Sequence, residues 1–238
     1  MEGALITTAE NSSGKILVNS QSFWPRQRFT VAHELGHFLS PWHRPTVASG
    51  FECTRADMTL AASPTVPART RHQVQEIEAN RFAIELLMPR LRLASYLSPA
   101  ADLRHALRMA AQFEVSREAA VRRYVALHPA TLAVAFSQNG KLRYIDPGRD
   151  FPPLALRTGD PMPSLPESPG GLLGSAMEEV DHRDWLRRSR PVRLQAQALH
   201  QQNGYHTTLL LVEVDDEEED GEGANDMLDY FTRFDSPR

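Results

Sequence analysis

Two short β-leaning runs, ALITTAE and KILVNS, open the chain, and the NSSG between them predicts a hairpin. The period then changes. Val31, Leu35, Phe38 and Leu39 recur at helical spacing behind Thr30, a suitable N-cap, until Pro41 and Pro45 end the pattern. Residues 41–70 carry Pro41, Pro45, Pro64 and Pro67 with no period and are predicted to form a long loop. Ile77, Ala79, Phe82, Ala83, Leu86 and Leu87 predict a second helix from His72 to Met88, stopped by Pro89. Two more helices are expected at about 99–113 and 116–127. Beyond Pro129 the texture shifts again: TLAVAFSQNGKLRYID reads as strand, Asn-Gly turn and strand. A Pro/Gly-rich connection over 147–174, a helical segment near 176–188 and a strand pair, RLQAQALH and YHTTLLLVEV, complete the pattern. The chain shows no internal repeat, and the expected class is α+β, with a second part beginning near residue 130.

Composition narrows the setting. With 238 residues, 41% of them hydrophobic, the chain is long enough to bury a core. No apolar run approaches the roughly 18 residues a membrane helix needs, so no membrane partner is expected. The opening residues lack the basic start and apolar stretch of a signal peptide. Cys53 is the only cysteine, which excludes an intrachain disulfide; the expected setting is cytoplasmic. The net charge of −4 includes seven acids in DDEEEDGE, so the remainder sums to −4 + 7 = +3. That run is expected to be a solvated segment.

The chemistry concentrates in RFTVAHELGHFLSPWH. On a helix, His33 and His37 lie about 40° apart on one face, so both imidazoles can point at one ion. This is the geometry that makes His33-Glu34-Leu35-Gly36-His37 a zinc signature. Glu34, beside the first ligand but off the metal, suits a general base acting on water. Two candidates compete for the third ligand position. His43 completes an H-E-x-x-H-x-x-x-x-x-H spacing, but Ser40 and Pro41 stand where that pattern wants a glycine turn. Glu76 lies on the second helix with Asn80 four residues on, an E-x-x-x-N pattern that resembles the gluzincin arrangement. Glu76 is the preferred third ligand, with Asn80 supporting a ligand histidine and His43 the alternative metal ligand. Glu78 is about 200° round the helix from Glu76 and should face elsewhere.

Three stretches, RQRFTVAHELGHFLS, EIEANRFAIELLMP and LRMAAQFEVSREAAVRRYVAL, resemble the ImmA/IrrE family of zinc metallopeptidases. The likeness covers residues 4–128 and is weaker beyond 130. It implies a zincin-like metallopeptidase domain over 1–96, a helix-turn-helix-like bundle over 97–129 and a GAF-like α+β domain, a possible sensor, over 130–238. It further implies an intracellular endopeptidase that cleaves an XRE-type helix-turn-helix repressor during stress, DNA damage or mobile-element induction. One ion is implied, zinc first, with manganese or iron able to occupy two imidazoles and a carboxylate.

The chain departs from the pattern at Glu114, where a helix-turn-helix favours glycine for its positive φ. DNA contact through Arg117, Arg122 and Arg123 is disfavoured against a structural bundle. His182, His200 and His206 are too scattered for a second metal site, and RRSRPVR is a basic patch without an assigned partner. Two rival readings are a non-cleaving antirepressor and a DNA-binding or ligand-sensing regulator with a structural metal.

Overall fold

The computed structural model describes residues 1–8, 12–45, 50–59, 70–167, 174–187 and 192–213. Among them it is an α+β protein with two antiparallel sheets and six helices. The predicted hairpin is present as β1 (Gly3–Thr7) and β2 (Gly14–Val18). The stretch predicted as loop contributes a third strand, β3 (Gly50–Cys53), which pairs with β1 so that Cys53 stands opposite Gly3 and Phe51 opposite Leu5. Because side chains two apart share a face, Cys53 and Phe51 point together into a small core with Leu5 and Met58.

Helix α1 (Trp24–Leu39) starts six residues earlier than its sequence pattern predicted. Pro25 sits in its first turn, where a missing N–H costs nothing. Thr30 is therefore not a cap but a buried mid-helix residue, its hydroxyl donating to Met58 Sδ at 3.6 Å. Helix α2 (Arg71–Leu87) has a full capping box: Thr70 Oγ1 accepts from the Gln73 amide, and the Gln73 side chain accepts from the Thr70 amide.

These two helices cross where Gly36 meets Ala79. A methyl group on Gly36 would lie 3.2 Å from Ala79 Cα and 3.3 Å from its carbonyl oxygen. Only two small residues let the backbones come this close, and Ala79 is fully buried in the contact. The approach carries Glu76 and Asn80, on the same side of α2, to the two histidines of α1.

A short helix α3 (Arg90–Leu93) leads to α4 (Leu103–Phe113) and α5 (Arg117–Leu127). Glu114 between the last two has φ 51°, the left-handed turn its position demanded of a glycine. Arg28 of α1 steadies that turn: its guanidinium donates to the carbonyls of Phe113 and Glu114 at 2.5 and 2.9 Å and lies 3.4 Å from the Glu114 carboxylate. Ser116 caps α5, accepting from the Ala119 amide at 3.1 Å.

The second sheet runs β5 (Lys141–Pro147), β4 (Thr131–Gln138), β8 (Tyr205–Glu213), β7 (Arg193–His200), β6 (Glu178–Val180), all neighbours antiparallel. The helical segment predicted near 176–188 is instead β6 followed by one short helix, α6 (His182–Trp185), with Asp181 as its cap. β4 is buried on both faces. Leu132, Val134 and Phe136 pack with Leu103, Met109 and Tyr124 of the helical bundle, while Ala133 and Ala135 face Trp185, Leu194 and Leu210. The bundle is thus anchored to one face of this sheet. The whole of the acidic run and the centre of the basic patch lie outside the described residues.

Replacing Gly36 by valine should lower stability by about 1–3 kcal/mol, since the branched carbons must displace the α2 backbone. Denaturant unfolding of the two proteins checks this, and an unchanged midpoint would show that the helices are not held at closest approach here.

Candidate metal centre

One turn of α1 separates His33 from His37, and their Nε2 atoms lie 3.1 Å apart. The Glu76 carboxylate faces both, at 3.2 Å from His33 Nε2 and 3.4 Å from His37 Nε2. Cys53 Sγ approaches from β3, 3.8 Å from His37 Nε2. The ligand atoms of all four residues fall within 4.8 Å of one another, and all four are buried.

The outer nitrogens of the two imidazoles decide what the inner ones offer. His33 Nδ1 lies 2.8 Å from Asn80 Oδ1, and the Asn80 amide nitrogen donates to the Asp57 carbonyl at 2.9 Å. Asn80 therefore presents its oxygen, His33 carries its proton on Nδ1, and Nε2 holds a lone pair. His37 Nδ1 is 2.9 Å from His43 Nδ1, and His43 Nε2 is 2.9 Å from Glu78 Oε2. The Trp42 indole also donates to Glu78 Oε2 at 2.7 Å, and this bond, then that of His43, holds the Glu78 carboxyl below its usual range. Where the His43 Nε2 proton goes to Glu78 and its Nδ1 accepts from His37, His37 Nε2 is also a lone pair. Two imidazole lone pairs and a carboxylate then crowd a single point. Such a group of acceptors is repulsive unless a cation sits among them, and two neutral imidazoles with a carboxylate are ligands for a divalent ion.

Glu34 lies beside this group, fully buried, with the Cys53 thiol against its carboxylate. Burial raises its carboxyl to about 7, against the smaller downward pull of His33 and of the Cys53 thiol. Burial lowers His37 and drives the Cys53 thiol far above its usual range. Gly3 makes the space beside Glu34: a methyl group there would lie 2.8 Å from Glu34 Oε1 and 2.3 Å from Thr30 Cγ2.

The sequence-expected residues His33, Glu34, His37, Glu76 and Asn80 thus meet at one place. His43 stands behind His37 rather than beside it, with both ring nitrogens engaged away from the ion position. The turn at Pro41 and Trp42, closed by the His43 amide donating to Ser40 at 3.0 Å, folds its ring back into a buried position. Glu78 does face away from Glu76, towards His43 and Trp42. Sequence reasoning did not reach Cys53, the Glu78–His43 pair, or Phe51, whose ring stacks on His37 at 4.4 Å. His72, which bridges Glu76 Oε1 and Asp57 Oδ1 at 3.4 Å each, was also missed, although it sits one turn before Glu76.

Residues 58–124 match the family model of the IrrE N-terminal-like domain of the M78 peptidases. That segment holds Glu76 and Asn80, while His33, Glu34 and His37 lie upstream of it. The match supports an ImmA/IrrE family metallopeptidase, the family the motifs resemble. None of the curated proteins compared with the chain matches it.

If the Glu78–His43 pair orients His37, His43→Ala should weaken binding of a divalent ion by about 10–100-fold. His37→Ala should abolish it. Competition against a chromophoric chelator measures both, and equal affinity of His43→Ala and wild type would remove the orienting role.

Proposed function

We propose that the chain is a zinc-dependent endopeptidase that cleaves an XRE-type transcriptional repressor. In this reading His33, His37 and Glu76 hold the ion, Asn80 and His43 orient the histidines, and Glu34 is the catalytic base. The observation that carries it is the buried Glu34 carboxylate beside three converging ligand groups. A structural metal needs ligands but no such neighbour, and an uncompensated buried carboxylate is expensive to keep.

A divalent ion bound there would supply Lewis acidity toward a peptide carbonyl. The chain's own groups would do the rest. Held near neutrality by burial, Glu34 can take a proton from water and return it to the leaving amine. Asn80 and His43 hold the imidazole protons outward, so the inward nitrogens stay free for the ion.

The zincin-like, helix-turn-helix-like and GAF-like labels belong to the same reading. The positive φ at Glu114 and the Ser116 cap support the helix-turn-helix geometry of α4 and α5. DNA contact remains disfavoured, because Arg122 is paired with Asp146 at 2.6 Å and Arg123 with Glu85 at 2.6 Å. Stacked across β7 and β8 at 4.3 Å, His200 and His206 are neighbours on the strands, yet no third ligand group joins them among the described residues. No described helix is long and apolar enough to cross a membrane, and a cytoplasmic site of action fits the intracellular substrate. The full burial of Glu34 and both histidines favours one alternative, a non-cleaving antirepressor that binds the same target.

Co-expression of an XRE-type repressor with wild type or Glu34→Gln separates the two. Loss of the cut fragment by about 10²–10⁴-fold in the variant, with bound metal retained, is the expected result. A repressor inactivated without any fragment supports the antirepressor, and a fragment produced equally by both proteins removes Glu34 from the chemistry.

A further inference from the structure

The proposed ligand set explains three of the four converging groups. Cys53 is the fourth, and nothing in the peptidase chemistry requires it. Its sulfur is buried at 1% exposure, stands 3.8 Å from His37 Nε2 and belongs to the group whose ligand atoms lie within 4.8 Å of one another. A tetrahedral zinc site, with bonds of about 2.0–2.1 Å to nitrogen and about 2.3 Å to sulfur, places two nitrogens about 3.3 Å apart and nitrogen and sulfur about 3.6 Å apart. The observed separations are 3.1 Å for the nitrogens and 3.8 Å from nitrogen to sulfur. The thiol's position follows from the strand pairing. Cys53 pairs with Gly3 across the sheet, and Gly3 has no side chain to stand between it and Glu34.

A second observation points the same way. His33, Glu34, His37 and Glu76 are all at 0% exposure, so no peptide reaches them in this conformation. The Cys53 thiol also lies against the Glu34 carboxylate, on the side of the pocket that the Glu76 oxygens face.

Taking the metallopeptidase reading as its basis, we infer that Cys53 is a fourth protein ligand that closes the metal centre and holds it latent. Two imidazoles, a carboxylate and a thiolate complete a four-coordinate site. Catalytic sites leave one of those positions open. On binding, the thiol releases its proton to solvent and the sulfur lone pair forms the fourth bond. Activation is then a ligand exchange in which sulfur leaves and β3 moves away from α1. No electron is transferred. A soft thiolate also selects among metals, favouring zinc over manganese, which oxygen donors suit better.

The test uses the full chain loaded with cobalt(II) in place of the native ion, and reads absorption rather than activity. A thiolate-to-cobalt charge-transfer band in the near ultraviolet is expected in wild type and in Glu34→Gln, with its complete loss in Cys53→Ser. The Cys53→Ser protein should also cut the repressor faster than wild type. Cobalt bound at one ion per chain without that band in wild type overturns the inference and leaves the metallopeptidase reading standing. Failure of wild type to bind any divalent ion overturns both. The wild-type spectrum alone decides the matter should Cys53→Ser fail to fold.

Discussion

The close crossing of α1 and α2 is the constraint on which the site depends. His33 and His37 are set by one helix and Glu76 and Asn80 by another, so their meeting is a matter of interhelical distance alone. Gly36 against Ala79 sets that distance. A glycine within a helix costs about 1 kcal/mol relative to alanine, and here it stands within the metal motif itself, one residue before His37. The local cost is accepted because a larger residue would push the carboxylate out of reach of both nitrogens.

The same closeness creates the electrostatic problem that the surrounding groups solve. Acceptor atoms 3.1–3.4 Å apart in a buried site repel one another. The fold does not relieve the repulsion by placing donors among them. It uses Asn80 on one side and the His43–Glu78 pair on the other to draw the ring protons outward, which sharpens the demand for a cation. Trp42 adds a donor at the outermost carboxylate, so the pull on the ring protons extends from the surface to the pocket. Each layer is intelligible only through the one inside it.

How much of this was legible in the sequence follows from how local each feature is. The pairing of His33 with His37, and of Glu76 with Asn80, is fixed by helical spacing and could be read directly. The start of α1 was misplaced because Thr30 has the chemistry of a cap, whereas Pro25, six residues into no obvious period, was the stronger signal. β3 escaped notice because four residues give no measurable alternation, and its identity rests on pairing with β1 some fifty residues away. Cys53 was lost with it. His43 was visible as a candidate, but its spacing alone could not say that the turn at Pro41 would place it behind His37. Period-2 burial on both faces of β4 hid the sheet's sidedness in the same way, since LAVAF reads as one apolar run until the bundle and Trp185 are seen on opposite sides.

The helical bundle and the metal helix are mechanically joined, and this bears on how a closed centre could open. Arg28 lies on α1 one turn and a half before His33, and its guanidinium holds the left-handed turn between α4 and α5. That turn uses a glutamate where glycine is unstrained, so its geometry depends on the arginine more than a glycine turn would. The bundle is in turn packed on the larger sheet through Leu103, Met109 and Tyr124. A shift of the bundle would therefore bear on α1 directly, while β3 lies at the edge of the three-stranded sheet and among the described residues pairs with β1 alone. A centre whose ligands come from both an anchored helix and an edge strand divides naturally at the strand, which is where the thiol resides.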